Sequence, residues 1–495
     1  MIVVNTRRPN IIFIMSDDHA AHAISAYGSV INHTPNIDRL AEEGMLLENC
    51  FCTNSICAPS RATILTGKET HINGVRTLGD KLDGRQQTFP KLLQQAGYQT
   101  AIVGKWHLGI GGHYSPTGFD YWNVFPDQGD YRNPTMIKLG EEVKYQGYAT
   151  EIVTDLSLDW LRARDPQRPF MLMCHHKAPH RPWIPAEKYV DLYEGETIPY
   201  PETFNDTYEN RSNAAKEAEM RVYGHMNYGD LKLKIPAEKT IWCNIEVPDD
   251  LEGFTLTPLE TGKPVSFNSH QEIKEWMYQR YIKDYLRCVA SIDDGVGQIL
   301  DYLDEEGIAE DTVVVYTSDQ GFFLGDHGWY DKRFMYEESL RMPFLIRYPR
   351  EIAPGSRSSK MALNLDFAET FLDYAGEEIP GDMQGVSLRP VLRGEEPAKW
   401  RTSMYYRYWM HLTHHYVGAH YGIRTERYKL IYYYGEKLDA SASLDESKTP
   451  EWELFDLEHD PAELNNVYGD PKYEEIVKEL TKELYRLKEE ALDFA

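Results

Sequence analysis

The run Asn10-Ile-Ile-Phe-Ile-Met15 has no polar residue after its first position. A strand exposed on one face would alternate, so an unbroken apolar run implies a strand covered on both faces. Such strands recur along the chain with helices between them. Thr34 to Gly44 carries an early proline, apolar residues at 37, 40 and 41, and a closing glycine, which together mark a short helix. Thr88 to Gly97 repeats that plan, and Tyr98–Val103 follows as a strand. Phe170–Cys174, Thr312–Thr317 and Pro343–Tyr348 read as further strands. The strongest helical signal spans Glu272–Glu306, where Tyr281, Tyr285, Cys288, Val289, Ile292, Val296 and Ile299 form one stripe ahead of Gly307. Leu365–Ala375, closed by Gly376, is another helix. This order predicts an α/β protein with a doubly wound, mostly parallel sheet flanked by helices.

Two stretches break the rhythm. Residues 185–270 are rich in Pro, Glu, Asn and Tyr without a period, and read as a surface insertion in a large domain over 1–394. Residues 395–495 hold short aromatic strands at Met404–Trp409, Tyr428–Tyr434 and Leu454–Leu457. A helix start at Asp460-Pro461-Ala462-Glu463 and an amphipathic helix over Tyr473–Leu492 complete a small antiparallel α+β domain.

Composition narrows the partners. Lys and Arg total 52 against 78 Asp and Glu, a formal net charge of −26. That argues against a broad nucleic-acid or anionic-membrane face, though a small anion can still sit in a locally positive pocket. No stretch approaches the roughly 20 apolar residues of a membrane span. Arg7 and Arg8 precede an apolar run too short for a secretory leader, and no small-residue cleavage site follows. Six cysteines in 495 residues make no disulfide framework. As written the sequence reads as cytoplasmic; periplasmic or secreted is the alternative if a leader was removed.

Ligands of open α/β sheets bind beyond the carboxyl ends of the strands. Asp17 and Asp18 follow one strand, and Asp319 and Gln320 follow another. Such an oxygen-only set suits Ca²⁺, or Mg²⁺, rather than zinc; alternatively Asp17 and Asp319 merely cap turns. Cys57 stands just ahead of a helix that starts near Pro59 and stops at Gly67. A helix N-terminus gathers anions and favours a thiolate, whereas a lone cysteine is commonly just a small buried residue.

Cys57-Ala58-Pro59-Ser60-Arg61, followed by Leu65-Thr66-Gly67-Lys68, resembles the signature of the type I, formylglycine-dependent sulfatases of the alkaline phosphatase superfamily. Gly104-Lys105-Trp106-His107-Leu108-Gly109, Ala178-Pro179-His180-Arg181-Pro182, Ser318-Asp319-Gln320-Gly321 with Lys332, and Leu454-Phe455-Asp456-Leu457-Glu458-His459-Asp460-Pro461 are similar to further segments of that family. Gln320 departs from the Asn or His often found at its place. Around Gly325–Glu338 and Tyr408–Lys429 the sequence looks most like the N-acetylglucosamine-6-sulfatase-type glycan sulfatases.

The resemblance implies that Cys57 is oxidised to formylglycine (3-oxoalanine) by a formylglycine-generating or anaerobic maturase enzyme. One hydroxyl of its hydrate attacks sulfur and the alcohol leaves; the second then loses its proton and expels sulfate, a step that a plain Cys or Ser cannot perform. It further implies Ca²⁺ held by Asp17, Asp18, Asp319, Gln320 and residue 57, with Arg61, Lys105 and Lys332 around the transferring group. His107 is the base, and His180, alone or with Lys332, the acid. His327 should overhang the pocket, and Trp409, His411 and His414 belong to a polar-aromatic cluster that suits a sugar face or a packed interface equally. The expected substrate is a sulfated sugar or short oligosaccharide, with the 6-O-sulfate of a terminal N-acetylglucosamine or glucosamine removed in exo fashion. The alternatives are phosphonate, phosphate or aryl sulfate hydrolysis by the same machinery, and a non-catalytic sugar-binding relative.

Overall fold

The computed structural model describes residues 8–495; Arg7, half of the basic pair ahead of the first strand, lies outside the described residues. A ten-stranded sheet runs in the spatial order Ser356–Ser358, Met45–Leu47, Phe344–Arg347, Thr312–Ser318, Asn10–Ser16, Phe170–His175, Gln99–Lys105, Tyr121–Phe125, Thr135–Lys138, Glu141–Lys144. The five strands from Thr312–Ser318 to Tyr121–Phe125 run parallel to one another. Phe344–Arg347 and the final pair run antiparallel, so the sheet is mixed at both flanks of a parallel centre.

The central strand shows why its sequence is unbroken. Ile11, Phe13 and Met15 enter one apolar layer, and Ile12 and Ile14 enter the other. The 36-residue helix His270–Glu305 covers the second face. Its start is fixed by Ser269, whose Oγ accepts from the Glu272 amide at 3.2 Å. Helices Cys57–Thr66, Phe89–Gln95 and Phe367–Ala375 cover the first face.

Near the C-terminus, Ser403–Tyr408, His420–Thr425, Tyr428–Tyr433 and Glu451–Asp456 form a four-stranded antiparallel sheet. Tyr406, Tyr408, Ile431 and Phe455 join the core of the large sheet, while Tyr405, Ile423, Leu430 and Leu454 receive Leu480 and Leu484 of helix Glu474–Glu490. Sequence patterning missed the strand His420–Thr425, because Gly422 interrupts its apolar alternation; a Cβ there would come within 2.4 Å of the Leu430 carbonyl oxygen.

The helix expected from Asp460 does not form. Glu463 has a left-handed φ of 50°, and its buried carboxylate accepts from Lys429 Nζ at 2.6 Å and from the Glu337 amide at 2.7 Å. An ion pair made elsewhere in the fold outcompetes the local capping pattern. Residues 185–270 are irregular as expected, but they are not simply draped on the surface. Met226, Leu231 and Ile245 are buried in the layer that holds the long helix.

Candidate active site

Four adjacent parallel strands end level with one another. Ser16 pairs with Ser318, Met15 with His175, and His175 with Gly104. The residues that follow therefore converge: Asp17 and Asp18, Asp319 and Gln320, Lys105 and His107, Lys177 and His180. Backbone bonds stitch these loops together, from the Asp17 amide to the Ala178 carbonyl at 3.1 Å and from the Asp319 amide to the Ser16 carbonyl at 3.3 Å.

Three buried carboxylates meet three buried cations. Lys105 Nζ donates to Asp17. Lys332 Nζ donates to both oxygens of Asp18, at 2.6 and 2.7 Å. Arg61 Nε donates to Asp319 Oδ2 at 2.9 Å. Burial pushes the Asp18 carboxyl up to about 6, against the pull of Lys332 and with the push of Asp319. Asp319 is buried too, yet Arg61, Lys105 and Lys332 hold it below the ordinary carboxylate range.

Asp17, Asp18 and His180 each bring one ligand atom within 4.8 Å of the others, a group able to hold a metal ion. Asp17 Oδ1 and Gln320 Oε1 are buried and accept no hydrogen bond. An unpaired buried oxygen is costly, and a cation is the partner that satisfies two of them at once. The group can thus hold a metal ion, and His180, which the oxygen-only reading left out, lies beside these oxygens.

Cys57 is the first residue of helix Cys57–Thr66 and is 2% exposed. Burial pushes the Cys57 thiol up to about 11 even though Lys332 pulls it down, against the thiolate that a helix terminus favours. Desolvation here outweighs the helix terminus. Ser60 anchors the helix: its Oγ donates to the Asp319 carbonyl and accepts from Asn364 Nδ2 at 2.8 Å.

His107 has a left-handed φ of 57°. Its Nε2 lies 3.2 Å from Gln128 Nε2 and 3.4 Å from Asp127 Oδ1, and its Nδ1 is buried without a partner. Burial and Lys105 bring its pKa down to about 4, so the ring is a neutral base at pH 7. His180 gives its Nδ1 proton to the Arg181 carbonyl at 2.9 Å, which leaves Nε2 as an acceptor 3.8 Å from Asp18 Oδ2. Burial, followed by Lys105 and Lys332, keeps the ring well below the usual histidine range.

The residues expected to touch a sugar are placed differently from one another. His327 is fully buried, with Nδ1 3.0 Å from Asp206 Oδ2, and packs on Tyr336 rather than overhanging the cluster. Trp409 is 1% exposed, lies 3.5 Å under the Arg407 guanidinium and donates to Thr70 Oγ1 at 3.1 Å. His411 is buried, accepts from the Ala419 amide at 3.1 Å and donates to the Glu446 carbonyl at 2.8 Å. Of the four only His414 is exposed, at the tip of the same loop.

The side chain that reaches the site is His415, 3.3 Å from both Asp331 Oδ2 and Arg181 Nη1. Arg181 makes a two-pronged pair with buried Asp230 of the irregular segment. Sequence reasoning passed over Arg181, Asp331 and Arg333, although they flank His180 and Lys332. Gln128, Asp230 and Asn364 carry no sequence signal, since their partners lie at distant positions.

The sulfatase family pattern matches residues 9–377. The chain belongs to the sulfatase family. It is thus a sulfuric ester hydrolase by family, and the pattern described as N-sulphoglucosamine sulphohydrolase, C-terminal, matches residues 325–490 of this sulfatase. An N-acetylglucosamine-6-O-sulfatase of Bacteroides thetaiotaomicron is 44% identical over 96% of this chain and 85% of its own. The human N-acetylglucosamine-6-sulfatase is 27% identical over 82% of this chain and 68% of its own. A solved structure of a protein bound to its substrate D-glucosamine-2-N,6-O-disulfate superposes with a TM-score of 0.87 at 42% identity, covering 99% of each chain. A phosphonate monoester hydrolase of Agrobacterium radiobacter shares the fold at 19% identity, with a TM-score of 0.73 over 98% of this chain and 96% of that one.

Proposed function

We propose that this sulfatase removes the 6-O-sulfate of a terminal N-acetylglucosamine or glucosamine, using Cys57 in its formylglycine form and a bound Ca²⁺. The observation that carries the reading is the convergence of Cys57 with three carboxylates, three cations and two histidines at one sheet edge, in a chain 44% identical to an N-acetylglucosamine-6-O-sulfatase. Bound between Asp17, Asp18, Asp319 and Gln320, the ion would supply Lewis-acid polarisation of a sulfate oxygen. Arg61, Lys105 and Lys332 then present fixed positive charge where negative charge grows, in a site closed to bulk water. His107 takes a proton at Nδ1, the atom left free by Gln128 and Asp127. In the resting site His180 Nε2 is an acceptor, so its action as an acid requires a second proton on the ring, stabilised by the arriving anion.

Arg181 with Asp230, His415, and Asp331 with Arg333 stand around Lys332 and are the proposed sugar-facing wall. The net charge of −26 favours a short substrate over a long polyanion track, hence exo action. The test compares a 6-sulfated N-acetylglucosamine, a disaccharide sulfated at its non-reducing end, one sulfated only internally, an aryl sulfate and an aryl phosphonate monoester. A peptide mass at position 57 is read in the same sample. Release from the terminal positions with the aldehyde present is the expected result. Equal release from the internal sulfate overturns exo action, and a preference for the phosphonate overturns the sulfate assignment.

A further inference from the structure

Four lysines are buried among the described residues: Lys105, Lys177, Lys332 and Lys429. Three of them hold carboxylates: Lys105 pairs with Asp17, Lys332 with Asp18, and Lys429 with Glu337 and Glu463. Lys177 is 4% exposed and has no such partner. Its ammonium stands 4.9 Å from the centre of the Tyr131 ring, and the Tyr131 hydroxyl donates to the His180 carbonyl at 2.6 Å. The side chain is largely buried while its ammonium makes no ion pair with a carboxylate, so the aromatic face is its recorded neighbour.

The location of this unpaired cation is specific. Lys177 follows strand Phe170–His175 and precedes His180 by three residues. It acts electrostatically on Lys105, His180 and Asp127, and is acted on by Asp130 and Asp18. The Tyr131 ring ties it to the His180 end of the cluster, through the bond from the Tyr131 hydroxyl to the His180 carbonyl. Asp127, its neighbour on the His107 side, is 80% exposed and engages the His107 ring instead.

We propose that Lys177 is a fourth anion-binding residue of this site, its ammonium completing its hydrogen bonds on the oxygens of the substrate's sulfate group. The inference rests on the sulfatase reading and extends it. Arg61, Lys105 and Lys332 each also bond a carboxylate, whereas Lys177 makes no such pair and is free to meet an incoming anion. Burial lowers its pKa to about 8.

The experiment uses the full-length protein as wild type, Lys177→Met and Lys177→Arg. Sodium sulfate is titrated against sodium chloride at matched ionic strength in thermal unfolding. Inhibition by sulfate and kcat/KM are then measured on 4-nitrophenyl sulfate and on 6-sulfated N-acetylglucosamine. Sulfate should raise the Tm of the wild type, because a ligand of the native state alone stabilises it. Lys177→Met should lose that rise, weaken sulfate inhibition tenfold or more, and lower kcat/KM by a similar factor on both esters. Lys177→Arg should recover part of each effect. A Lys177→Met protein with wild-type sulfate inhibition and kcat/KM overturns the proposal. If that variant does not fold, Lys177→Gln replaces it in the same comparison. If the wild type cleaves no sulfate ester, the proposed function fails, and the sulfate-specific Tm shift still decides Lys177, since it does not require the modified residue 57.

Discussion

Gln320 sits beside Asp18 with its Nε2 donated and its Oε1 unused. That asymmetry makes it a sensitive probe of the metal set. Gln320→Leu keeps the volume and removes the oxygen, so metal content and kcat should fall together while the melting temperature of the metal-free protein stays near wild type. Chelation should abolish activity, and Ca²⁺ should restore it better than Zn²⁺; a Gln320→Leu protein with full metal content would remove this residue from the ligands. His411 calls for the opposite expectation. Both its ring nitrogens are engaged with backbone, at Ala419 and Glu446, so it shapes the loop that carries His415. His411→Ala should cost about 1–3 kcal/mol in chemical denaturation through the unpaired groups it leaves. It should also lower turnover of aryl and sugar sulfates alike, which separates it from a residue that touches only the sugar.

Helix Cys57–Thr66 brings residue 57 to the sheet edge, and its seating depends on one hydroxyl. Ser60 joins the helix to the Asp319 carbonyl and to Asn364, so two distant loops are pinned to the turn that bears Cys57. Ser60→Ala should reduce kcat about tenfold, an amount equivalent to roughly 1.4 kcal/mol, with little change in KM. Sulfate ester kinetics on fully modified protein check this, and an unchanged kcat would show that helix packing alone sets the position. Gly104 does similar work in its strand. Its φ is +101°, and a Cβ would approach the His175 carbonyl oxygen to 1.9 Å. Only glycine lets Lys105 continue past its neighbour into the site.

Across the whole molecule, some of the acidity is hidden rather than displayed. Burial raises Glu69 and Glu369 from 4.5 to about 8 each, so at pH 7 both are mostly neutral inside the protein. A carboxyl with a raised folded pKa binds more protons in the native than in the unfolded state between those two values. Its contribution is therefore full below 4.5 and is lost as the pH rises towards 8. The melting temperature should decline across that window, and the double variant Glu69→Gln with Glu369→Gln should flatten the decline. Melting curves collected as a function of pH test this; an unchanged slope in the double variant assigns the pH response to other groups.

The strands, the long helix and the loops that bear the chemistry are legible in the sequence because they depend on short-range pattern. An unbroken apolar run, a 3.6-residue stripe or a capping serine fixes local structure through neighbours a few residues away. Asp17, Asp18, Asp319 and Cys57 were found for the same reason, since each stands just after a strand or at a helix start, whereas Lys105 and His180 were carried by the motif resemblance. What tertiary structure alone decided is which groups meet. Lys332 reaches Asp18 across 314 positions, Ser60 reaches Asp319 across 259, and Arg181 reaches Asp230 across 49. The choice of His415 over His411, the turn at Glu463 in place of a helix, the protonated Cys57 and the unpaired Lys177 all belong to this second class. Each is set by the distance to a partner far along the chain and by the water excluded when that partner arrives, and neither quantity exists until the sheet has closed.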